Sequence, residues 1–126
     1  MNKQKPSKTF NAGQLPIILV LNALNAHTTL RMDDIAYFRY NQERKIWEVL
    51  CMDGSIYLLR HRTTAEVILN YSPCFVQIHK RFIVNINQIK MIQESACILI
   101  EPMQRVSELR ISKNYRAGLM DAFYSL

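Results

Sequence analysis

The chain of 126 residues contains only 3 glycines. A phosphate-cradling loop of the GxGxxG or P-loop kind needs several glycines at set spacing, so nucleotide chemistry of that sort is excluded. Nucleophile signatures are missing as well. No GxSxG or SxxK occurs, His27, His61 and His79 are scattered, and no carboxylate pair is spaced for hydrolysis. The expectation is a protein that is not an enzyme and takes no cofactor. Cysteine is sparse and odd in number: Cys51, Cys74 and Cys97 stand in apolar settings, without CxxC or paired histidines at metal spacing. They read as reduced thiols, which argues against a disulfide framework or a metal site and points to the cytoplasm. Long apolar runs are lacking too. The longest near the start, residues 16–21, is too short to cross a bilayer and carries no cleavage-site pattern, so no membrane partner is expected.

What is present has the balance of a soluble globular chain, 49% hydrophobic against 21% charged, at a length suited to one domain. Lys plus Arg number 16 against 10 for Asp plus Glu, a net charge of +6 and a pI near 9.4. That excess favours polyanionic partners, nucleic acid or an acidic membrane surface, although the same charge also serves solubility alone.

Residues 1–14 carry Lys3, Lys5 and Lys8 among Pro, Ser, Asn and Gly without periodicity, and read as a flexible basic arm or linker. The folded domain is expected over 15–126. Residues 17–21 form a first β-prone block, Thr28 to Arg31 a short second strand, and Asp33 a turn or cap before the aromatic strand of residues 35–40. The polar tip Asn41 to Lys45 leads into residues 46–52, with Trp47, Val49 and Cys51 on one face and Ile46, Glu48, Leu50 and Met52 on the other. Asp53-Gly54 predicts a tight two-residue hairpin turn and residues 55–59 the return strand. Thr63 with Glu66 predicts a capping box for a short helix over residues 63–70, which Pro73 ends. Strands follow at residues 89–92, 97–100 and 105–111. A closing helix has Ser112 as N-cap and Leu119, Met120 and Phe123 on its apolar side.

The most informative stretch is FVQIHKRFIVNINQIKMI, residues 75–92. Phe75, Val76 and Ile78 make a strand that ends in the cationic corner His79, Lys80, Arg81, and Phe82, Ile83 and Val84 then resume the apolar rhythm. The part of this stretch reading FVQIHKRFIVNINQI, residues 75–89, resembles the central signature of LytTR-type DNA-binding domains. MDDIAYFRYN resembles the paired acid, isoleucine and aromatic pattern of that family, residues 53–76 follow its order of elements, and ELRISKNY resembles its closing signature. Departures exist: Lys80 and Arg81 stand where the family more often has arginine then serine, and Asn114 where a basic residue is common.

The resemblance implies a mostly β fold, an elongated stack of short antiparallel strands in three sheets with one short helix and a C-terminal helix. It also implies a bacterial transcription regulator that grips double-stranded DNA with loops. The candidate DNA-binding residues are Asn41, Arg44 and Lys45 at the tip, His79, Lys80 and Arg81 at the corner, and Lys113, Asn114 and Arg116 late in the chain. The loops are expected to enter successive major grooves, with His79 and Arg116 on phosphate, while Asn85 and Ser112 read as structural. Implied partners are duplex DNA, a second copy on repeated half-sites, and a receiver or sensor protein. Bland readings stand beside these: His79 as a core-edge histidine, Arg44 and Lys45 as solvated, Lys113 and Arg116 as an outer helix face. Two other functions remain open, a protein interaction module using Leu119, Phe123 and Tyr124 or a strand edge, and single-strand binding through Tyr37, Phe38 and Tyr40.

Overall fold

The computed structural model describes residues 17–21 and 24–123. The expected basic arm and Tyr124 lie outside these residues. Strands β1 (Ile17–Leu21) and β2 (His27–Arg31) pair as an antiparallel ribbon. A central antiparallel sheet has the order β5-β4-β3-β7-β6, built from β3 (Ile35–Asn41), β4 (Ile46–Cys51), β5 (Ile56–Leu58), β6 (Phe75–His79) and β7 (Phe82–Asn85). Strands β8 (Ile89–Gln93) and β9 (Ala96–Leu99) form a second ribbon. Helices α1 (Ala65–Leu69) and α2 (Lys113–Asp121) complete the mostly β, three-sheet architecture that the sequence predicts.

A sheet with two apolar faces must be covered on both, and here each ribbon joins one helix to do so. On one face Ile18, Val20 and Leu30 of the first ribbon and Ile68 of α1 pack on Phe38, Trp47, Val49, Phe75 and Ile83. On the other, Cys97 and Leu99 of β9, Leu109, Ile111 and Leu119 of α2 pack on Tyr37, Leu50, Ile78, Phe82 and Val84. Each large side chain so buried contributes about 1.5–3 kcal/mol. The predicted division of β4 holds, since Trp47, Val49 and Cys51 share the first core and Leu50 and Met52 the second. Both faces being covered, all six residues of β4 are buried.

Strand β3 does not alternate simply. Ile35 and Phe38 face the same core while Ala36 and Tyr37 face the other, because the register with β4 shifts between Ile35 and Tyr37. An extra residue at a bulge reverses the face of everything that follows. Buried Asn85 holds this corner together: its Nδ2 donates to the carbonyls of Met32 (3.0 Å) and Ile35 (2.9 Å), and its Oδ1 accepts from Asn87 N–H (3.1 Å). The structural reading of Asn85 is thereby accounted for at atomic level.

Several local expectations are corrected. Asp33 lies in a 3-10 turn, Met32–Asp34, as its turn reading expects, but the capping carboxylate is Asp34, accepting from the Arg31 N–H at 2.8 Å. The turn between β4 and β5 places three residues, Met52 to Gly54, between the paired Cys51 and Ser55, not two. Gly54 N–H donates to Cys51 C=O, Cys51 N–H to Ser55 C=O, and only Gly54 takes positive φ (+90°). Helix α1 is capped by Thr64, whose Oγ1 accepts from Val67 N–H, so the Thr63 capping box is absent. Residues 105–111 form no strand. They run beside β9 with Cys97 N–H donating to Leu109 C=O and Ile111 N–H to Ser95 C=O, too few rungs to build a ladder. Ser112 is the N-cap of α2 by position, without a side-chain cap bond. On α2, Leu119 is buried but Met120 faces outward at 45% exposure, and Phe123, just past the helix end, is half-buried.

Candidate nucleic-acid interface

The tip and the corner lie side by side because β3 pairs with β7. Tyr40 N–H donates to Arg81 C=O at 2.9 Å, and Arg81 Nη1 donates to the Gln42 side-chain oxygen at 3.1 Å. The third loop is anchored to the same end of the sheet. Ser112 N–H donates to Ile78 C=O at 2.7 Å, so α2 starts beside the last residues of β6. The three predicted loops therefore share one end of the central sheet, in the order tip, corner, start of α2. Arg44, Lys45, Lys80, Lys113 and Asn114 are exposed there and Arg81 is half-buried.

Each loop is shaped locally. Asn41 turns the tip: its Oδ1 accepts from the N–H groups of Glu43 and Arg44, both at 3.1 Å, while its Nδ2 donates to Glu48 at 3.3 Å. Both ends of the Asn41 amide are thus engaged inside the protein. Lys45 closes the tip in the left-handed region at φ +56°. At the corner, His79 and Phe82 pair across the two-residue loop Lys80-Arg81. His79 Nδ1 accepts from Arg81 N–H at 3.1 Å, which leaves the proton of the neutral ring on Nε2. Its ring packs on Phe82 with centroids 5.5 Å apart. Burial, and then the charge of Arg81, push the His79 pKa below its ordinary value. Arg116 is partly spoken for, since its Nη1 donates to the Glu94 carbonyl at 2.6 Å and ties α2 to the β8-β9 turn.

Behind the tip lies a charged network that the sequence reading passed over. Arg39 and Glu48 stand directly opposite each other on β3 and β4, and Arg39 Nε and Nη2 both reach Glu48 Oε1 at 2.9 Å. Arg39 Nη1 also meets Glu108 Oε2 at 2.8 Å, where the Tyr37 hydroxyl donates at 2.5 Å. Burial opposes the Arg39 charge, but the hydrogen bonds it donates to the two carboxylates outweigh it and raise the pKa. Burial first, and then the bond to Glu108, raise the Tyr37 phenol. Gln42 was passed over as well. The Arg39-Glu48 pair was findable by counting back across the hairpin from the tip, whereas Glu108 carries no local signal.

Tyr37 and Phe38 are fully buried and Tyr40 packs on Trp47 at 5.6 Å, so these aromatics form no open stacking groove. Among the described residues no group of His, Cys, Asp and Glu is arranged to hold a metal ion, and no helix is long and apolar enough to cross a membrane.

Comparison with known proteins accords with this geometry. A family model described as the LytTr DNA-binding domain matches residues 25–123. A solved structure, the LytTr DNA-binding domain of a protein described as a methyl-accepting/DNA response regulator from Bacillus cereus, superposes with a TM-score of 0.61. It covers 85% of this chain and 95% of its own at 18% sequence identity, a likeness of fold. A search of curated protein sequences returned no match. With 99 consecutive residues, 25 to 123, matched to the family model and its three-sheet fold in place, the chain belongs to the LytTR family of DNA-binding domains.

Proposed function

We propose that this chain recognises a specific site on double-stranded DNA with its loops and acts as a bacterial, cytoplasmic transcription regulator. The observation that supports this most directly is the gathering of three separate cationic loops at one end of the central sheet by the Tyr40-Arg81 and Ile78-Ser112 backbone bonds. Arg44 and Lys45 of the tip, and Lys113 and Asn114 of α2, flank the corner. When the flanking loops enter successive major grooves, Lys80 and Arg81 face the sugar-phosphate backbone between them. Base edges are then read by the outer loops and register is set by the corner, with His79 offering an Nε2–H donor to phosphate. A second copy on a repeated half-site and a receiver or sensor protein are the further partners proposed. The partner-docking alternative is weaker, because Leu119 is fully buried and Phe123 is packed in the chain's own core.

The test is a titration of duplex DNA at graded salt. With about five phosphates contacted, raising salt from about 50 to 200 mM should weaken binding about 500-fold through counterion release. A flat salt response removes the proposal.

A further inference from the structure

The end of the sheet that carries the three loops carries a fourth. Strand β5 runs antiparallel to β4, with Leu58 opposite Glu48 and Leu59 N–H donating to Trp47 C=O at 2.9 Å. The next residues, Arg60, His61 and Arg62, therefore emerge beside Ile46, where the tip loop ends. Arg60, His61 and Arg62 are all exposed, and a turn closed by Thr63 N–H on Arg60 C=O (3.0 Å) holds the segment before α1 begins. Neither arginine is paired with a carboxylate among the described residues.

The four loops follow the strand order. Arg60-His61-Arg62 stands at β5, the Gln42 to Lys45 tip at β4 and β3, Lys80-Arg81 at β7 and β6, and Lys113-Asn114 next to β6. Four strand spacings separate β5 from β6, about 19 Å, which exceeds the width of one major groove at about 12 Å. Within these loops the single carboxylate is Glu43. The opposite end of the sheet has the opposite character: Asp33 and Asp34 precede β3 and Asp53 lies in the β4-β5 loop, joined there by Met52 N–H donating to Asp34 C=O at 2.8 Å. A polyanion approaching the molecule is drawn to one end and repelled from the other.

We infer that the Arg60-His61-Arg62 loop is a fourth DNA-contacting element, which grips phosphates on the outer flank of the groove entered by the tip and extends the footprint beyond β5. The inference rests on the duplex-binding reading above. Its chemistry is backbone neutralisation, since two arginines on a short exposed loop at the edge of the row meet phosphates before base edges. The loop then adds affinity and salt dependence without adding sequence preference.

The experiment compares wild type, R60A/R62A and R60K/R62K on one selected duplex and on a random duplex of equal length, across graded salt, with hydroxyl-radical footprints of each complex. The alanine pair should lower the slope of log K against log salt by about 1.8, two contacts at about 0.9 each. It should weaken both duplexes by the same factor, shorten protection at one edge only, and keep the wild-type thermal midpoint. The lysine pair should restore the slope. An unchanged slope and footprint for R60A/R62A, with wild type binding normally, overturns this inference and leaves the three-loop reading standing. Loss of preference for the selected duplex over the random one also overturns it, because the loop would then be reading bases. Wild type that shows no salt-dependent duplex binding overturns both.

Discussion

The peptide N–H of Tyr40 donates to the carbonyl of Arg81 across 41 positions of sequence, at 2.9 Å. This bond, with the Gln42 side chain accepting from Arg81 Nη1, locks the tip to the corner. Binding energy then need not be spent on ordering the two loops relative to each other.

The variant K80A/R81A removes two charges but keeps the backbone carbonyl that Tyr40 uses. It should lower duplex affinity by at least tenfold at about 100 mM salt, in line with two lost phosphate contacts, and leave the thermal midpoint within about 2 °C. A large loss of stability in calorimetry would instead make the corner structural.

Arg39→Met leaves the buried Glu48 carboxylate without its guanidinium partner. The cost should be roughly 3 kcal/mol, at the low end for breaking a buried pair because Arg39 keeps some solvent contact, and the midpoint should fall by about 10 °C. R39M/E48M should recover most of that loss. Thermal unfolding within error of wild type for the single variant would refute the network's structural weight.

His79 should titrate below the ordinary histidine value of 6.5, because burial and Arg81 both disfavour its charged form. As pH falls through that range the unfolded chain takes up the proton first, so stability declines from about 6.5 down to the folded midpoint and is unaffected above about 6.5. Protonation also removes the Nδ1 acceptor from Arg81 N–H. An NMR titration of the His79 ring checks the sign, and a midpoint at or above 6.5 contradicts it.

Asn85→Ala should cost about 2–4 kcal/mol, since the Met32 and Ile35 carbonyls lose their shared donor within the core. Denaturant unfolding measures this directly. The residue lies at the far end of β7 from the cationic corner, so the duplex affinity of whatever fraction stays folded should match wild type.

The three free thiols should react in order of exposure. Burial pushes Cys51 up to about 12, with Asp53 and Asp34 adding to it, and pushes Cys97 up to about 11, whereas Cys74 is only partly buried. A thiol reagent at neutral pH should modify Cys74 in the native protein and the other two only after unfolding. Rapid native labelling of Cys51 would show that the first core opens.

Much of the fold is legible because its signals are local. The breaks at Asn41 to Lys45, at Gly54 and at Pro73 bound the strands, and the two-faced pattern of β4 implies a core on each side of it. What failed was also local, but decided by competition. Thr63 and Thr64 both qualify as caps, and the backbone path into α1 presents Thr64. Residues 105–111 alternate like a strand yet find too little of a partner edge to pair along.

The amino-acid order by itself determined which side chains sit in turns, which turns are cationic, and the family to which the chain belongs, since each depends on residues within a few positions of one another. Only the tertiary structure decided that these turns meet. Bonds from Tyr40 to Arg81, from Ser112 to Ile78 and from Leu59 to Trp47 bring loops from remote parts of the chain to one end of a sheet, with Arg60 and Arg62 among them. Strand order and register are set by long-range pairing and by burial of both sheet faces, quantities that no short window of sequence contains.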